Sequence, residues 1–392
     1  MEVNSTTQRP SLESLISSYD FEIAASQSLS KKTWAFYSSA ATDEITRKTN
    51  KVLYDRIWFR PRVMRNVRDV NTRTRILDCD VALPFFVSPA AMAKLVHPDG
   101  ELAIARGCSK FGIGQCISSN ASYDVAEIVA CGSKNPFFLQ LYVNKDRASS
   151  EALLKRAEEC GTKAIFVTVD APVPGKREAD ERVPVDQGFV AYAPMTGASA
   201  SNDSKGGGLG RTMGAYVDAT LNWDDLKWLR RSTRLPIVLK GIQTVEDAIL
   251  AAQYGVDGIV ISNHGGRSLD TSPPSILTLM EIRQHHPEIF EQVEVYVDSG
   301  IRRGTDILKA LCLGAKAVGL GRHTLYALNY GQEGVEKFIG IMRDELETSM
   351  RMVGMTSLDQ AHPGLLNTCD IDHLVPRTIE APPMVLRGKA RL

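Results

Sequence analysis

The sequence predicts an α/β fold, a (β/α)8 TIM barrel with an N-terminal helical extension and a long mobile loop after strand 4. Three observations predict it. Eight short apolar runs follow one another, at residues 85–88, 114–118, 137–143, 164–170, 236–241, 258–263, 293–299 and 317–322. Each has strand length, and many are rich in β-branched or aromatic residues. Amphipathic helical segments lie between most of them, as at 150–160, 244–254 and 305–313. Strand and helix therefore alternate eight times in about 240 residues, the rhythm of a closed parallel barrel. A doubly wound sheet is the alternative, but it needs fewer strands and a glycine-rich first turn, and no GxGxxG follows the first run.

Residues 11–50 carry helix signals, with Ser11 and Ser18 as candidate caps and a run at 30–41 that contains Trp34, Phe36 and Tyr37. The chain then reads as extended from Arg60-Pro61-Arg62 to Val70. The barrel is expected over about 84–355 and a tail over 356–392, so residues 1–392 read as a single domain. One connection breaks the rhythm: about 65 residues separate Asp170 from Pro236, and 197–214 is rich in Gly, Ser and Asn. A loop this long in a compact fold reads as a flexible lid, here over about 181–220. Its Gly208-Leu209-Gly210 follows no strand and is not expected to bind a nucleotide.

Composition narrows the function classes. At 43% hydrophobic and 23% charged residues the chain can bury a large core. Lys+Arg and Asp+Glu both number 46, so the charge balance points to neither nucleic acid nor an acidic membrane surface. No apolar run is long enough to span a bilayer, and the polar N-terminus lacks the apolar segment of a signal peptide. The cysteines at 79, 108, 116, 131, 160, 312 and 369 form no CxxC pair and read as reduced core thiols. Cys369 and His373 have metal-pair spacing without a second pair, so no metal is expected. Ala390-Arg391-Leu392 is a variant of the tripeptide that addresses proteins to the peroxisome, with cytoplasm or mitochondrion as alternatives.

The active site of such a barrel lies where the strands end. Seven runs end in polar residues: Ser118; Gln140 and Tyr142; Thr168 and Asp170; Lys240; Ser262 and His264; Asp298; and Arg322. Any one of these has a structural reading, and an isolated histidine beside glycines is most simply a solvated turn residue. Burying unpaired charge is costly, so packing does not explain seven such ends in series. The stretch from Ser262 to Arg267 brings together a base, an anion receptor and two glycines that let a ligand approach the backbone. The last two runs lead into Asp298-Ser299-Gly300-Ile301-Arg302 and Gly321-Arg322, which have the makings of a phosphate seat. The histidines at 97, 285, 286, 362 and 373 read as structural or exposed.

The motifs Ser262-Asn263-His264-Gly265-Gly266-Arg267-Ser268-Leu269-Asp270, Val167-Thr168-Val169-Asp170 with Gly175-Lys176-Arg177-Glu178, Lys240-Gly241 and Ile301-Arg302-Arg303-Gly304-Thr305-Asp306 carry a resemblance. From about Leu29 to about Gly354 the chain resembles the FMN-dependent 2-hydroxy acid oxidase and dehydrogenase family. The resemblance implies an FMN cofactor and oxidation of a small carboxylic acid substrate at its α-carbon, taking an (S)-2-hydroxy acid to the 2-oxo acid. Oxygen or another acceptor would receive the electrons, and the protein would be a homo-oligomer, commonly a tetramer. His264 would be the base and Asp170 its hydrogen-bond partner. Arg177 and Arg267 would clamp the substrate carboxylate and Tyr142 would bond its hydroxyl. Lys240 would stand by the flavin N1 and C2 oxygen. Pro89, Ala90, Ala91, Ser118, Gln140, Thr168 and Ser262 would hold the ring and ribityl chain, with Asp298, Ser299, Gly300, Ile301, Arg302, Gly321 and Arg322 around the phosphate.

Four positions depart from the family pattern. Phe36 replaces a tyrosine that contacts the carboxylate, which removes a charge-assisted hydrogen bond worth about 1.5–3 kcal/mol. Asn120 replaces a tryptophan or leucine beside the substrate side chain and suggests a larger or more polar substrate. Ser299 stands for glycine and His323 for proline near the phosphate. The rival readings are oxidation of an α-amino or cyclic imino acid, or of a specialised pathway hydroxy acid; an FMN-barrel isomerase; and flavin binding without catalysis.

Overall fold

Eight parallel strands close on themselves in the computed structural model, which describes residues 9–132, 135–186 and 188–377. They are β1 (Phe85–Val87), β2 (Gly114–Ser118), β3 (Phe137–Leu141), β4 (Ile165–Thr168), β5 (Ile237–Ile242), β6 (Gly258–Ile261), β7 (Glu294–Val297) and β8 (Ala317–Leu320). Each pairs with the next, and β8 returns to β1. All eight expected runs contain strands: Ser118, Gln140, Thr168 and Lys240 lie inside them, whereas Tyr142, Asp170, Ser262, His264, Asp298 and Arg322 lie just beyond. Beyond two of them His264 and Ser299 have φ of 59° and 75°, outside the β region, so extended backbone does not continue through them, and both line the barrel mouth.

Alternation along each strand sorts the barrel interior into layers. Phe86, Cys116, Phe138, Phe166, Val238, Val260, Tyr296 and Ala317 form one apolar layer, one residue from each strand. Its rings interlock, with Phe138 stacked on Phe166 at 5.2 Å and Phe86 edge-on to Phe166 at 5.7 Å. A hairpin of Thr74–Ile76 and Cys79–Val81 plugs the N-terminal end, adding Ile76 and Val81 to this cluster. Two residues further along the strands, the same inward face carries Ser88, Ser118, Gln140, Thr168, Lys240, Ser262 and Asp298. A polar floor therefore rests on an apolar plug.

Among the described residues three α-helices precede the barrel: α1 (Ser18–Ser28), α2 (Lys31–Ser38) and α3 (Ile45–Asp55). The cap of α1 is Ser17, whose hydroxyl accepts from Asp20 N, and not Ser18, which is the first helical residue. Ser11 precedes a short 3-10 turn and makes no side-chain cap bond. The expected helices appear at Arg147–Glu159, Val245–Tyr254 and Gly304–Cys312.

The lid carries more structure than its composition suggests. Between β4 and β5 lie short helices at Glu178–Glu181 and Leu209–Met213 and a two-stranded hairpin of Tyr192–Ala193 with Ala198–Ser199. Arg211 staples it, reaching Glu181 at 2.9 Å and Asp203 at 2.6 Å. The core-thiol expectation also needs correction: Cys108, Cys116 and Cys312 are buried, Cys79, Cys131 and Cys160 are partly covered, and Cys369 is exposed. Among the described residues no helix is long and apolar enough to cross a membrane, and no three His, Cys, Asp or Glu residues are grouped to hold a metal ion. Ala390-Arg391-Leu392 lies outside the described residues.

Candidate active site

The polar floor is a connected hydrogen-bond system. Gln140 Nε2 donates to Thr168 Oγ1 at 3.0 Å, while its Oε1 accepts from Ser118 Oγ at 3.3 Å and Ser119 N at 3.2 Å. Across the barrel Lys240 Nζ donates to Ser262 Oγ at 3.1 Å and lies 3.4 Å from Asp298 Oδ2. Lys240 is buried, which disfavours its charge, but Asp298 and Asp170 outweigh that and raise its pKa above the ordinary lysine value. The floor thus holds a permanent ammonium.

One more step along the strands brings Tyr142, Asp170 and His264 above it. His264 Nδ1 lies 2.9 Å from Asp170 Oδ1, and His264 Nε2 lies 3.3 Å from Tyr142 OH. The backbone makes room for this pair at Gly241, where φ is +119° and a Cβ would stand 2.6 Å from the Asp170 Cβ. Burial pushes the His264 pKa down, and Lys240 and Arg177 add to that; Asp170 opposes them without cancelling them. Burial also pushes the Asp170 carboxyl upward, but His264 and Lys240 prevail and hold it below the usual range. The pair at neutral pH is therefore a neutral imidazole oriented by a carboxylate, with Nε2 facing the cavity beside Tyr142.

Arg177 and Arg267 form the cationic wall of the same cavity. Arg267 Nη1 donates to the carbonyls of Phe36, Tyr37 and Ser39 at 2.8, 3.0 and 3.0 Å, and Arg177 Nε donates to the Arg267 carbonyl at 3.3 Å. Burial lowers the pKa of both guanidiniums. Two half-buried cations whose charges act on each other favour an anion between them. Phe36 lies under them, with guanidinium carbons 5.1 Å (Arg267) and 5.9 Å (Arg177) from its ring centre. The neighbouring Tyr37 does not replace the missing phenol, because its hydroxyl donates to the carbonyls of Ala91 and Met92, 2.8 Å away.

Asn120 corrects the expectation drawn from its polarity. Its Oδ1 accepts from Thr196 Oγ1 at 2.8 Å and Tyr216 OH at 3.1 Å, and its Nδ2 faces the Met213 carbonyl at 3.4 Å. The amide fastens the lid to the end of β2, so its polarity is no longer an argument for a polar substrate.

At the far end lie Ser299, Gly300, Ile301, Arg302, Gly321 and Arg322. Ser299 Oγ donates to Asp298 Oδ1 and accepts from Gly265 N, both at 3.0 Å, and so ties this end to the histidine loop. Arg322 Nη2 donates to the Gly265 carbonyl at 2.8 Å, while its Nη1 is buried without a partner. Arg302 is shared, since its Nη1 donates to Glu22 on α1 at 2.9 Å. Pro89, Ala90 and Ala91 complete the wall between floor and seat. One cavity is lined both by Tyr142, His264 and Arg267 at one end and by Ser299, Gly300 and Arg322 at the other.

The sequence reading missed several residues that hold the site. Asn50 on α3 and Asn263 exchange amide hydrogen bonds at 2.9 and 2.8 Å, and Asn263 Oδ1 also accepts from Gly266 N, which fixes the turn carrying His264. Glu22 and Asn50 are single polar residues on helices ahead of the barrel, and no spacing links them to the strand ends.

The fold and the site define an eight-stranded parallel α/β barrel with a histidine–carboxylate pair and a cationic wall at its mouth. The profile of the family described as FMN-dependent dehydrogenase matches residues 25–368. L-lactate dehydrogenase (cytochrome) of Saccharomyces cerevisiae is 45% identical over 385 residues, covering 96% of this chain and 64% of that protein. Glycolate oxidase 3 of Arabidopsis thaliana is 40% identical over 346 residues, covering 86% of this chain and 92% of that protein. The flavin-binding domain of baker's yeast flavocytochrome b2 superposes with a TM-score of 0.83 at 43% identity, over 95% of this chain and 91% of that one. The chain belongs to the FMN-dependent dehydrogenase family, and it spans somewhat less than two thirds of the yeast relative's length. The residues present fit FMN: the unpartnered Arg322 Nη1 and the backbone of Ser299 to Ile301 suit its phosphate, and the Lys240 ammonium suits a ring that gains negative charge on reduction.

Proposed function

We propose that this protein oxidises a 2-hydroxy acid at its α-carbon, an (S)-2-hydroxy acid going to the 2-oxo acid, and passes the electrons to oxygen or another acceptor. The observation that carries the reading is the neutral His264, held through Nδ1 by Asp170, with Nε2 turned to a cavity walled by Arg177 and Arg267. FMN, when bound, supplies the two-electron acceptor. The chain's own residues do the rest. Arg177 and Arg267 bind the carboxylate and fix the α-carbon, a task suited to planar guanidinium groups. Tyr142 bonds the substrate hydroxyl beside His264. His264 Nε2 takes a proton from the substrate, and the Asp170 carboxylate stabilises the imidazolium that results. The names of the two relatives, a lactate dehydrogenase and a glycolate oxidase, describe enzymes of 2-hydroxy acids and support the same class here.

The test is anaerobic bleaching of the FMN-loaded protein. Lactate, glycolate, mandelate and longer 2-hydroxy acids are compared with α-amino and cyclic imino acids. Bleaching by one or more hydroxy acids is expected; bleaching by amino or imino acids alone would overturn the assignment. Net oxidised product with peroxide or a reduced dye excludes an isomerase.

Phe36 offers a second check. Phe36→Tyr places a phenol under both guanidiniums, where it reaches the same carboxylate. Short hydroxy acids should then bind more tightly by about 1.5–3 kcal/mol, roughly ten- to a hundredfold in KM. An unchanged KM would remove Phe36 from the carboxylate site.

A further inference from the structure

Lys32 lies on α2 one turn before Phe36, on the same helix face. Phe36 packs under the two arginines, and Lys32 reaches the base of the lid. Its Nζ donates to Asp180 Oδ1 at 2.7 Å, to the Asp180 carbonyl at 2.6 Å and to the Val183 carbonyl at 2.9 Å, which uses all three ammonium hydrogens. The side chains of Lys32 and Asp180 are 3% and 1% exposed. Asp180 Oδ2 accepts from Gly210 N at 3.2 Å. Gly210 in turn lies against Arg177, so that a Cβ there would stand 2.6 Å from Arg177 Nη1.

Asp180 is thus a buried carboxylate next to the cationic wall. Its charge is felt by both Arg177 and Arg267, yet its oxygens are spent on Lys32 and the Gly210 amide. A buried ion pair is weak evidence for stability, because desolvation offsets most of the attraction. Its effect here falls on the neighbouring charges. We propose that Lys32 is a positioning residue for the substrate carboxylate: by engaging Asp180 it keeps that carboxylate from swinging onto Arg177 and neutralising the anion site. This rests on the reading of Arg177 and Arg267 as the carboxylate clamp.

The experiment is calorimetric titration of the FMN-loaded protein with oxalate, alongside KM and kcat for the acid that bleaches it. Lys32→Met should weaken oxalate binding and raise KM by about tenfold or more, with kcat little changed. Adding Asp180→Asn to Lys32→Met should restore binding to near the wild-type value, and Lys32→Arg should bind like wild type. A purely structural Lys32 would give weak binding that Asp180→Asn does not repair, and that result overturns the proposal. If Lys32→Met does not fold, Asp180→Asn alone decides: oxalate bound as tightly as by wild type, or more tightly, supports the proposal, and weaker binding overturns it. Wild-type protein that fails to bind oxalate defeats the carboxylate clamp itself, whereas unchanged binding in Lys32→Met defeats only the role of Lys32.

Discussion

His264→Gln is expected to leave a protein that still holds FMN and turns yellow but oxidises its acid about 10^2–10^4-fold more slowly. Glutamine keeps an amide N–H that can reach Asp170, so the buried carboxylate is not stranded. It has no basic nitrogen, so the substrate proton has nowhere to go. The pH profile separates this from simple damage. Burial, helped by Lys240 and Arg177, sets the His264 pKa below its ordinary value, and the competent form is the neutral one. Lowering the pH protonates it, so kcat/KM should be flat at neutral pH and fall on an acid limb that lies below the ordinary histidine range. Asp170 adds no limb in that range, because its carboxyl is held below the usual value. Steady-state rates across pH check both points. Turnover retained in the glutamine variant, or an acid limb that survives in it, would remove His264 as the base.

The layered barrel explains why so much of this was legible in the sequence. Phe138, Gln140 and Tyr142 follow one another at steps of two, as do Phe166, Thr168 and Asp170, and Val260, Ser262 and His264. A strand period therefore displays plug, floor and catalytic layer in linear order, and β-branched runs that end in Asp or His can be read as strand ends without coordinates. The boundaries were less legible, because a strand stops where its ladder hydrogen bonds stop. At His264 and Ser299 a positive φ keeps the extended backbone from continuing, which the residue types do not announce. The helices ahead of the barrel were least legible. Lys32, Asn50 and Glu22 reach the site only through packing of α1, α2 and α3, and their partners Asp180, Asn263 and Arg302 lie far away in the chain. Asn120 shows the opposite error: the residue type was read as a property of the substrate, and its partners turned out to be in the lid.

Lys240→Met should combine a loss of rate with a loss of stability that can be told apart. Methionine keeps much of the stem and removes the charge. Asp298 then loses the ammonium 3.4 Å away and keeps only its hydroxyl partners, Ser88 at 3.4 Å and Ser299 at 3.0 Å. Breaking one side of a buried ion pair costs about 3–5 kcal/mol, so thermal unfolding should move to lower temperature. The chemical effect has a different origin. Lys240 is the fixed positive charge of the floor, and preorganised charge facing a centre that becomes negative is worth about 10^2–10^3 in kcat when one donor is removed. The same argument sets a sign for the bound cofactor. Without a cation beside it the reduced form loses stabilisation, so the midpoint potential should become more negative. Redox titration of the loaded protein reads the potential, steady-state kinetics reads kcat, and calorimetry reads stability. A variant that melts earlier with potential and kcat unchanged would make Lys240 a structural partner of Asp298 and nothing more.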